Sequence, residues 1–329
     1  MKKILLPVIA GPTASGKSDV AVKLALRFNG EVVSADSMQI YKFMDIGTAK
    51  VDKETRARVP HHMLDIVTPD VNYSLAMYQK QAGDIIEAIA ARGQLPLLAG
   101  GTGLYIKALI ENYPLDQLPH DPQTRERLAS MWLQKGEKHM YSWLAQVAPE
   151  DASRINIGDK RRVLRALEIY CLTGRAPSEI HSEARAKSPF VPLLIGLTMP
   201  RKTLYAKINR RAQAMAAAGL PQEYSMLISM GFAADANSML GLGYRQAGML
   251  IKGIWSEQQM LEHLQRDTRR YAKRQLTWFR SMQDIIWLDN RDPAKTVDTI
   301  SVLIAGKSGT FTNSKNKDKL ARRDTIEQT

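Results

Sequence analysis

The sequence predicts an α/β protein, a parallel sheet flanked by helices whose chain is interrupted by an all-helical block. Three observations carry that prediction. Gly11-Pro12-Thr13-Ala14-Ser15-Gly16-Lys17-Ser18 satisfies G-x-x-x-x-G-K-[ST] at every fixed position. Short apolar runs, each leading through a turn into a helical pattern, recur on both sides of the chain's middle. From about Pro114 to Ser188 that alternation stops and only helical patterns remain.

Taken in order, Ile4–Ile9 is a short apolar run suited to a buried parallel strand. After the glycine loop, Val20, Leu24 and Phe28 recur at helical spacing beside Ala21 and Ala25. Strand, glycine loop and helix bring successive backbone N–H groups and a helix N-terminus onto an anion. Lys17 would then reach the outermost phosphate and the Ser18 hydroxyl would ligate Mg²⁺. A sheet built on this unit is of the P-loop NTPase type. Glu31–Asp36 reads as a second strand ending in a carboxylate. Ligands of open α/β sheets sit at strand carboxyl ends, which puts Asp36 and Ser37-Met38-Gln39 near the phosphate loop. A helix-cap role for Asp36 is the alternative. Ser74–Arg92 is helical in pattern and Leu95–Ala99 is a third strand. Gly100-Gly101-Thr102-Gly103 then turns into another helix, or is simply a tight βα loop.

Pro114–Pro122 holds three prolines and two aspartates and marks the entry to the helical block, with Pro189 and Pro192 at its exit. Helical pieces cover Thr124–Gln134, Tyr141–Val147 and Asp159–Thr173. The sheet resumes at Leu193–Leu197, a long helix runs from about Ser256 to Met282, and Asp284–Asp289 is a last strand. The expected organisation is a core of residues 1–118 and 193–305, an inserted helical domain at 119–192 and a disordered tail at 306–329.

The net charge is +13, of which the tail from Gly306 carries only +3. A basic body suggests a polyanionic partner, most commonly nucleic acid. Arg161, Arg162 and Arg165 share one face of Asp159–Thr173, opposite Val163, Leu167 and Tyr170. Arg266, Arg269, Arg270, Lys273 and Arg280 line the long helix with only Asp267 among them, opposite Met260, Leu264, Tyr271 and Trp278. Solvated faces usually mix signs, because like charges at i,i+4 repel. Two nearly all-positive faces therefore favour phosphate-backbone contact. One cysteine, Cys171, cannot form an internal disulfide, and no apolar run approaches a membrane span. Lys2-Lys3 before Ile4–Ala10 imitates a signal peptide, but that run is the strand feeding the phosphate loop. Cytoplasmic localisation, no membrane association and a monomer are expected.

The chain resembles the bacterial tRNA dimethylallyltransferases, also called tRNA isopentenyltransferases, from Ile4 to about Asp289. Its landmarks are the phosphate loop, Ser34–Tyr41 (SADSMQIY), Asp45–Lys50 (DIGTAK), Pro60–Asp65 (PHHMLD) and Gly100–Tyr105 (GGTGLY). Arg162–Glu168 (RVLRALE), Gly243-Tyr244-Arg245 and Ala272–Arg280 (AKRQLTWFR) complete them. The phosphate loop alone would not separate this family from ATP-binding kinases; the A-D-S-M-Q-I-Y segment with the others at their distances does.

The resemblance implies transfer of a dimethylallyl group from dimethylallyl diphosphate to N6 of the adenosine just 3′ of a tRNA anticodon, releasing diphosphate. It implies that Gly11–Ser18 with Arg211 bind the diphosphate, that Lys17 assists its departure and that Asp36 is the base. Thr102 would orient the adenosine and Asp36–Gln39 would read it. Further tRNA contacts are implied for Arg125 and for Arg161, Arg162, Val163, Leu164 and Arg165, on the anticodon stem-loop. Asn209 stands where the family pattern leads one to expect a glutamate. Three other readings compete: a P-loop small-metabolite kinase, an adenylate isopentenyltransferase acting on free nucleotide, and a non-catalytic RNA-binding protein. A kinase needs an adenine site and an arginine lid, the nucleotide enzyme needs no helical insertion, and a vestigial site would not keep Lys17, Ser18 and Asp36 together.

Overall fold

The computed structural model describes residues 3–115 and 118–307. Its elements are β1 (Ile4–Ala10), α1 (Lys17–Phe28), β2 (Gly30–Ser34), α2 (Lys53–Arg58), β3 (His61–His62), α3 (Leu75–Ala91), β4 (Leu95–Gly100) and α4 (Gly103–Ile110). Helices α5 (Pro122–Val147), α6 (Pro149–Arg154), α7 (Lys160–Thr173) and α8 (Pro177–Ala186) follow. Then come β5 (Phe190–Thr198), α9 (Arg201–Ala217), α10 (Leu220–Ser229), α11 (Tyr244–Ile251), α12 (Glu257–Arg280) and β6 (Ile286–Asp289). A last helix, α13, covers residues 293–307.

All six strands pair in parallel, in the order β3-β2-β4-β1-β5-β6. Residues 6–10 of β1 are fully buried, which is why this central strand reads as a continuous apolar run rather than an alternating one. Ala10 is level with Gly100 of β4 and Gly196 of β5, and Ser34 of β2 with Ala99. The loops after β1, β2 and β4 therefore leave the sheet at one height and converge. One core packs Ile9, Val20, Leu24, Leu97, Ile195 and Ile300 around the sheet; a second gathers Ile40, Met44, Leu220, Leu227, Tyr244 and Leu264.

The chain forms two compact units, one of residues up to Ile106 and from Phe190 onward, the other Lys107–Pro189. The second unit has its own core of Leu128, Met140, Leu144, Val163 and Leu167.

Several expected boundaries move. The second strand stops at Ser34, because Asp36 turns out of the ladder. The two helical pieces expected at 124–134 and 141–147 are both present in α5, where two helices meet at a kink at Gly136 (φ 78°). Pro192, expected in a connector, lies inside β5 opposite Leu6. The β6 ladder begins only at Ile195, so Pro192 has a strand on one side and no second neighbour demanding its absent N–H. β6 starts at Ile286, after Asp284 takes a left-handed turn (φ 62°). Gly306 and Lys307 end α13 rather than begin a tail. The remainder of the expected disordered segment, 308–329, lies outside the described residues. Among those residues no helix is long and apolar enough to cross a membrane.

Candidate functional site

The glycine loop is held by sterics from both sides. A Cβ on Gly11 (φ 147°) would sit 2.6 Å from the Leu197 carbonyl oxygen, and one on Gly16 (φ 85°) 2.6 Å from Asn290 Nδ2. That same Nδ2 donates to the Ser15 carbonyl at 2.8 Å, tying the loop to the segment after β6. Ala14 takes a left-handed φ of 63° and packs against Leu204, Ile208 and Ala272. Gly16 is the N-cap of α1 and offers no side chain to its first turn, so those N–H groups face the loop's concavity. Lys17 Nζ donates to the Pro12 carbonyl at 2.7 Å. Burial, with the Arg211 charge adding to it and Asp36 opposing, lowers the Lys17 pKa from 10.5 to about 7. Arg211 on α9 donates to Thr13 Oγ1 at 3.1 Å and to the Thr48 carbonyl at 3.4 Å.

Opposite the loop, the β4 turn presses on the β2 turn. A Cβ on Gly100 would clash with the Ala35 carbonyl, and Thr102 N donates to that carbonyl's oxygen at 3.0 Å. Thr102 Oγ1 in turn accepts from Ser37 N at 3.0 Å. Asp36 Oδ1 accepts from Met38 N at 2.9 Å, closing an Asx turn and leaving Oδ2 for other partners. Buried Gln275 of α12 joins the two glycine turns: Oε1 accepts from Thr13 N at 2.8 Å and Nε2 donates to Gly101 O at 2.9 Å.

Between these walls lies a cavity of about 380 Å³, within the range of small-molecule sites. Thr13, Lys17, Ser18 and Arg211 line its cationic end; Asp36, Ser37, Met38 and Gln39 line another side, with Tyr271 and Arg274 from α12. Burial pushes the Tyr271 pKa up, and Asp36 adds to the effect, so the phenol stays protonated. Thr102 stands against the cavity wall: its hydroxyl supports Ser37 and meets the side chain of Tyr271, both of which line the cavity. Gly11, Pro12, Ala14, Ser15 and Gly16 likewise shape the cavity from behind Thr13 and Lys17.

A buried carboxylate holds the third side. Glu223 accepts from the backbone N–H groups of Asp45 (3.0 Å), Ile46 (2.8 Å) and Gly47 (3.1 Å), and from Tyr244 Oη at 2.6 Å. The clamped loop presents the Thr48 carbonyl to both Arg211 and Gln39 Nε2. Asn209, where a glutamate was expected, accepts from Arg269 at 2.7 Å. Gln275, Glu223, Tyr271, Arg274 and Asn290 were not singled out as site residues from sequence. A polar residue inside an apolar stripe, as at Gln275, was the available signal.

In the second unit, Arg125, Arg161 and Arg162 are exposed on the first turns of α5 and α7. Val163 and Leu164 point the other way, into that unit's core. Arg165 is engaged too: it donates to Glu168 at 2.8 Å and to Pro119 O at 2.9 Å. Burial alone would raise the Glu168 pKa; Arg165, His120 and the Asp121 N–H outweigh it and hold it below 4.5.

Among the described residues no group of three or more His, Cys, Asp or Glu could hold a metal. At its cationic end the cavity offers the hydroxyls of Thr13 and Ser18, and Asp36 is the one carboxylate in its lining. That sparse oxygen set suits Mg²⁺, which keeps waters and binds largely through substrate phosphates.

A family described as IPP transferase matches residues 39–282, and one described as isopentenyl transferase matches residues 4–58. A tRNA dimethylallyltransferase of Acetivibrio thermocellus is 43% identical over 289 residues, 87% of this chain and 91% of that one. One from Geobacter sulfurreducens is 44% identical over 306 residues, 92% and 98% of the two chains. The solved tRNA isopentenylpyrophosphate transferase of Bacillus halodurans matches with TM-score 0.72 and 39% identity, covering 96% of this chain and all (100%) of that one. A eukaryotic dimethylallyltransferase solved acting on tRNA matches with TM-score 0.77 and 28% identity, covering 94% of this chain and 80% of the other.

Proposed function

The chain belongs to the IPP transferase family, and from that premise we propose its reaction: transfer of a dimethylallyl group from dimethylallyl diphosphate to N6 of the adenosine 3′ to a tRNA anticodon. The observation that carries the reading is the single cavity whose one end is Lys17, Ser18 and Arg211 and whose side wall is Asp36–Gln39. Cations collect where a diphosphate would sit, and a carboxylate stands where an amine would enter.

The adenosine N6 lone pair attacks C1 of the dimethylallyl group. The C1–O bond breaks with its electron pair passing to the diphosphate, and the N6 proton passes to Asp36. An exocyclic amine is a weak nucleophile because its lone pair is delocalised into the ring, so a placed carboxylate helps. Charge develops on the departing oxygen, and Lys17, Arg211 and the N–H groups at the start of α1 oppose it in place, without reorganisation. Mg²⁺ held by the Ser18 hydroxyl and the phosphates would add Lewis-acid stabilisation of the same charge. Thr102 meets both Ser37 and Tyr271 and so fixes the two walls that face the base. The adenosine reaches this cavity only by leaving its stack. Arg125, Arg161 and Arg162 supply phosphate contacts, and Arg165 shapes the face that carries two of them. The protein works as a cytoplasmic monomer.

The test is incubation with radiolabelled dimethylallyl diphosphate and either tRNA or AMP. Label in tRNA alone supports the reading; label in AMP, or in neither, overturns it.

A further inference from the structure

Lys50 closes the Asp45–Lys50 segment, and the reaction above gives it no part. Its side chain is only 1% exposed. Nζ donates to Tyr41 O at 2.5 Å, to Asp45 Oδ1 at 2.8 Å and to Asp65 Oδ1 at 2.6 Å. An ammonium has three N–H donors, so all of them are taken inside the protein and none is left for a substrate. Arg56 Nη1 donates to Asp65 Oδ2 at 2.7 Å, and the two cations balance the two carboxylates. Burial alone would raise the Asp65 pKa; Lys50 and Arg56 outweigh it and hold it below 3.8.

The three acceptors belong to three segments. Tyr41 follows the Asp36–Gln39 turn, Asp45 opens the loop that carries Gly47, Thr48 and Ala49, and Asp65 follows β3. Asp65 N donates to Gln39 O at 3.2 Å and Ile66 N to Ile40 O at 2.7 Å, so the third segment is laid along the first. Gln39 Nε2 reaches the Thr48 carbonyl at 3.2 Å, which joins the first segment to the second. Gln39, Gly47, Thr48 and Ala49 all line the main cavity. Four non-glycine residues in this region hold left-handed backbone: Phe43 (φ 67°), Ala49 (φ 47°), Met63 (φ 62°) and Asp65 (φ 54°). Such conformations persist only where the surrounding bonds over-determine them, and they gather at ligand clamps. For stability alone a buried ion cluster is a poor choice, since well-packed apolar side chains serve as well or better.

We propose that Lys50 is a positioning residue for the transfer, holding the Asp36–Gln39 turn and the Thr48 loop in one register. The inference rests on the transfer reading. Lys50 touches neither substrate. It acts on the entering base through the Asp36–Gln39 turn and on the diphosphate through the Thr48 carbonyl, to which Arg211 donates. One buried ammonium thereby sets the distance between the wall that faces the amine and the guanidinium that faces the leaving group.

Lys50→Met keeps the length of the side chain and removes its three bonds, whereas Lys50→Arg keeps the charge but replaces a compact ammonium with a planar fork. Ile300→Ala, in the core around the sheet, controls for lost stability. Each variant is assayed well below its melting midpoint, for inorganic diphosphate affinity by calorimetry, for tRNA affinity, and for single-turnover transfer with both substrates saturating. Lys50→Met should weaken diphosphate binding about tenfold, the order of a lost charged hydrogen bond. It should slow transfer about 10²-fold, the cost of a misplacement of about 1 Å, with tRNA affinity nearly unchanged. Lys50→Arg should recover much of the melting midpoint but not the rate, and Ile300→Ala should lose midpoint alone. A Lys50→Met rate that falls no further than that of Ile300→Ala, or a rate that arginine restores together with the midpoint, overturns the proposal. Should Lys50→Met not fold, Asp45→Ala and Asp45→Asn still decide it, because that carboxylate is 61% exposed. Alanine removes one acceptor of Nζ and should slow transfer severalfold; asparagine keeps an acceptor and should restore most of the rate. Equal rates in the two overturn the proposal. Failure of the wild type to modify tRNA at all would instead refute the transfer reading, so the two failures are distinguishable.

Discussion

Raising the pH above 7 should weaken binding of dimethylallyl diphosphate, because Lys17 enters the reaction from an unusual state. Its pKa is lowered from 10.5 to about 7 by burial and by Arg211, only partly countered by Asp36. A diphosphate placed against it favours the charged form, so binding takes up a proton wherever the free protein lacks one. With the free value at about 7 and the diphosphate holding Lys17 charged in the complex, the affinity follows the protonated fraction of the free protein. That fraction drops about fiftyfold between pH 7 and pH 9, approaching tenfold per unit. The ligand's own ionisation is nearly complete by then and does not offset the trend. Titration calorimetry at fixed Mg²⁺, in two buffers of different ionisation enthalpy, reads both the affinity and the proton uptake. Lys17→Met should bind weakly with a flat profile above pH 7. The stability sign is the opposite of a usual ion pair. A depressed lysine costs stability below its folded pKa, and the cost fades as pH rises from 7 towards 10.5, so Lys17→Met should raise the neutral-pH melting midpoint. A wild-type affinity independent of pH between 7 and 9, or the same decline in Lys17→Met, would refute this account of the loop.

The other predictions concern supports and contacts. Arg161→Ala and Arg162→Ala should each lower the log–log salt slope of tRNA binding by up to about 0.9 while the melting midpoint stays put; an unchanged slope returns that face to solvent. Arg165→Ala should instead destabilise the second unit by about 3 kcal/mol, because it strips the buried Glu168 carboxylate of its cation; denaturant unfolding decides. Glu223→Gln replaces an acceptor of four hydrogen bonds with a group that presents two donors of its own. It should cost about 1–3 kcal/mol and raise KM for the diphosphate through the Thr48 carbonyl that Arg211 uses. Wild-type stability with unchanged KM would remove Glu223 from the site's support.

What the sequence made legible was what short-range pattern encodes. The run Ile4–Ile9, the glycine loop and the periodicity of Ser74–Arg92 announce β1, α1 and α3, because a doubly covered strand is apolar throughout and a helix repeats every 3.6 residues. β3 has two residues, His61 and His62, too few for any pattern to register. Pro192 reads as a breaker until the uneven reach of β6 is known. At the site, Lys17, Ser18 and Asp36 were reached through their motifs and Arg211 through the family resemblance, and the four share one cavity. Carried over by position, Val163 and Leu164 lie in the second unit's core, Arg165 is bonded to Glu168 and Thr102 to Ser37. Which way a side chain points, and whether a neighbour has already claimed it, is decided by tertiary packing. Gln275 and Glu223 were missed for the same reason: each joins segments far apart in the chain, and their partners are backbone groups that carry no sequence signature.

The claim that Asp36 takes the proton from the adenosine amine is tested most directly by a rapid-quench, single-turnover time course of Asp36→Asn with tRNA saturating, at two Mg²⁺ concentrations. Asparagine keeps the oxygen that accepts from Met38 N, so the Asx turn survives and only the capacity to hold a full proton is lost. The rate should fall by about 10²–10⁴ with dimethylallyl diphosphate affinity nearly unchanged and no recovery in excess Mg²⁺. A rate close to wild type, or full recovery at the higher Mg²⁺ concentration, would contradict it.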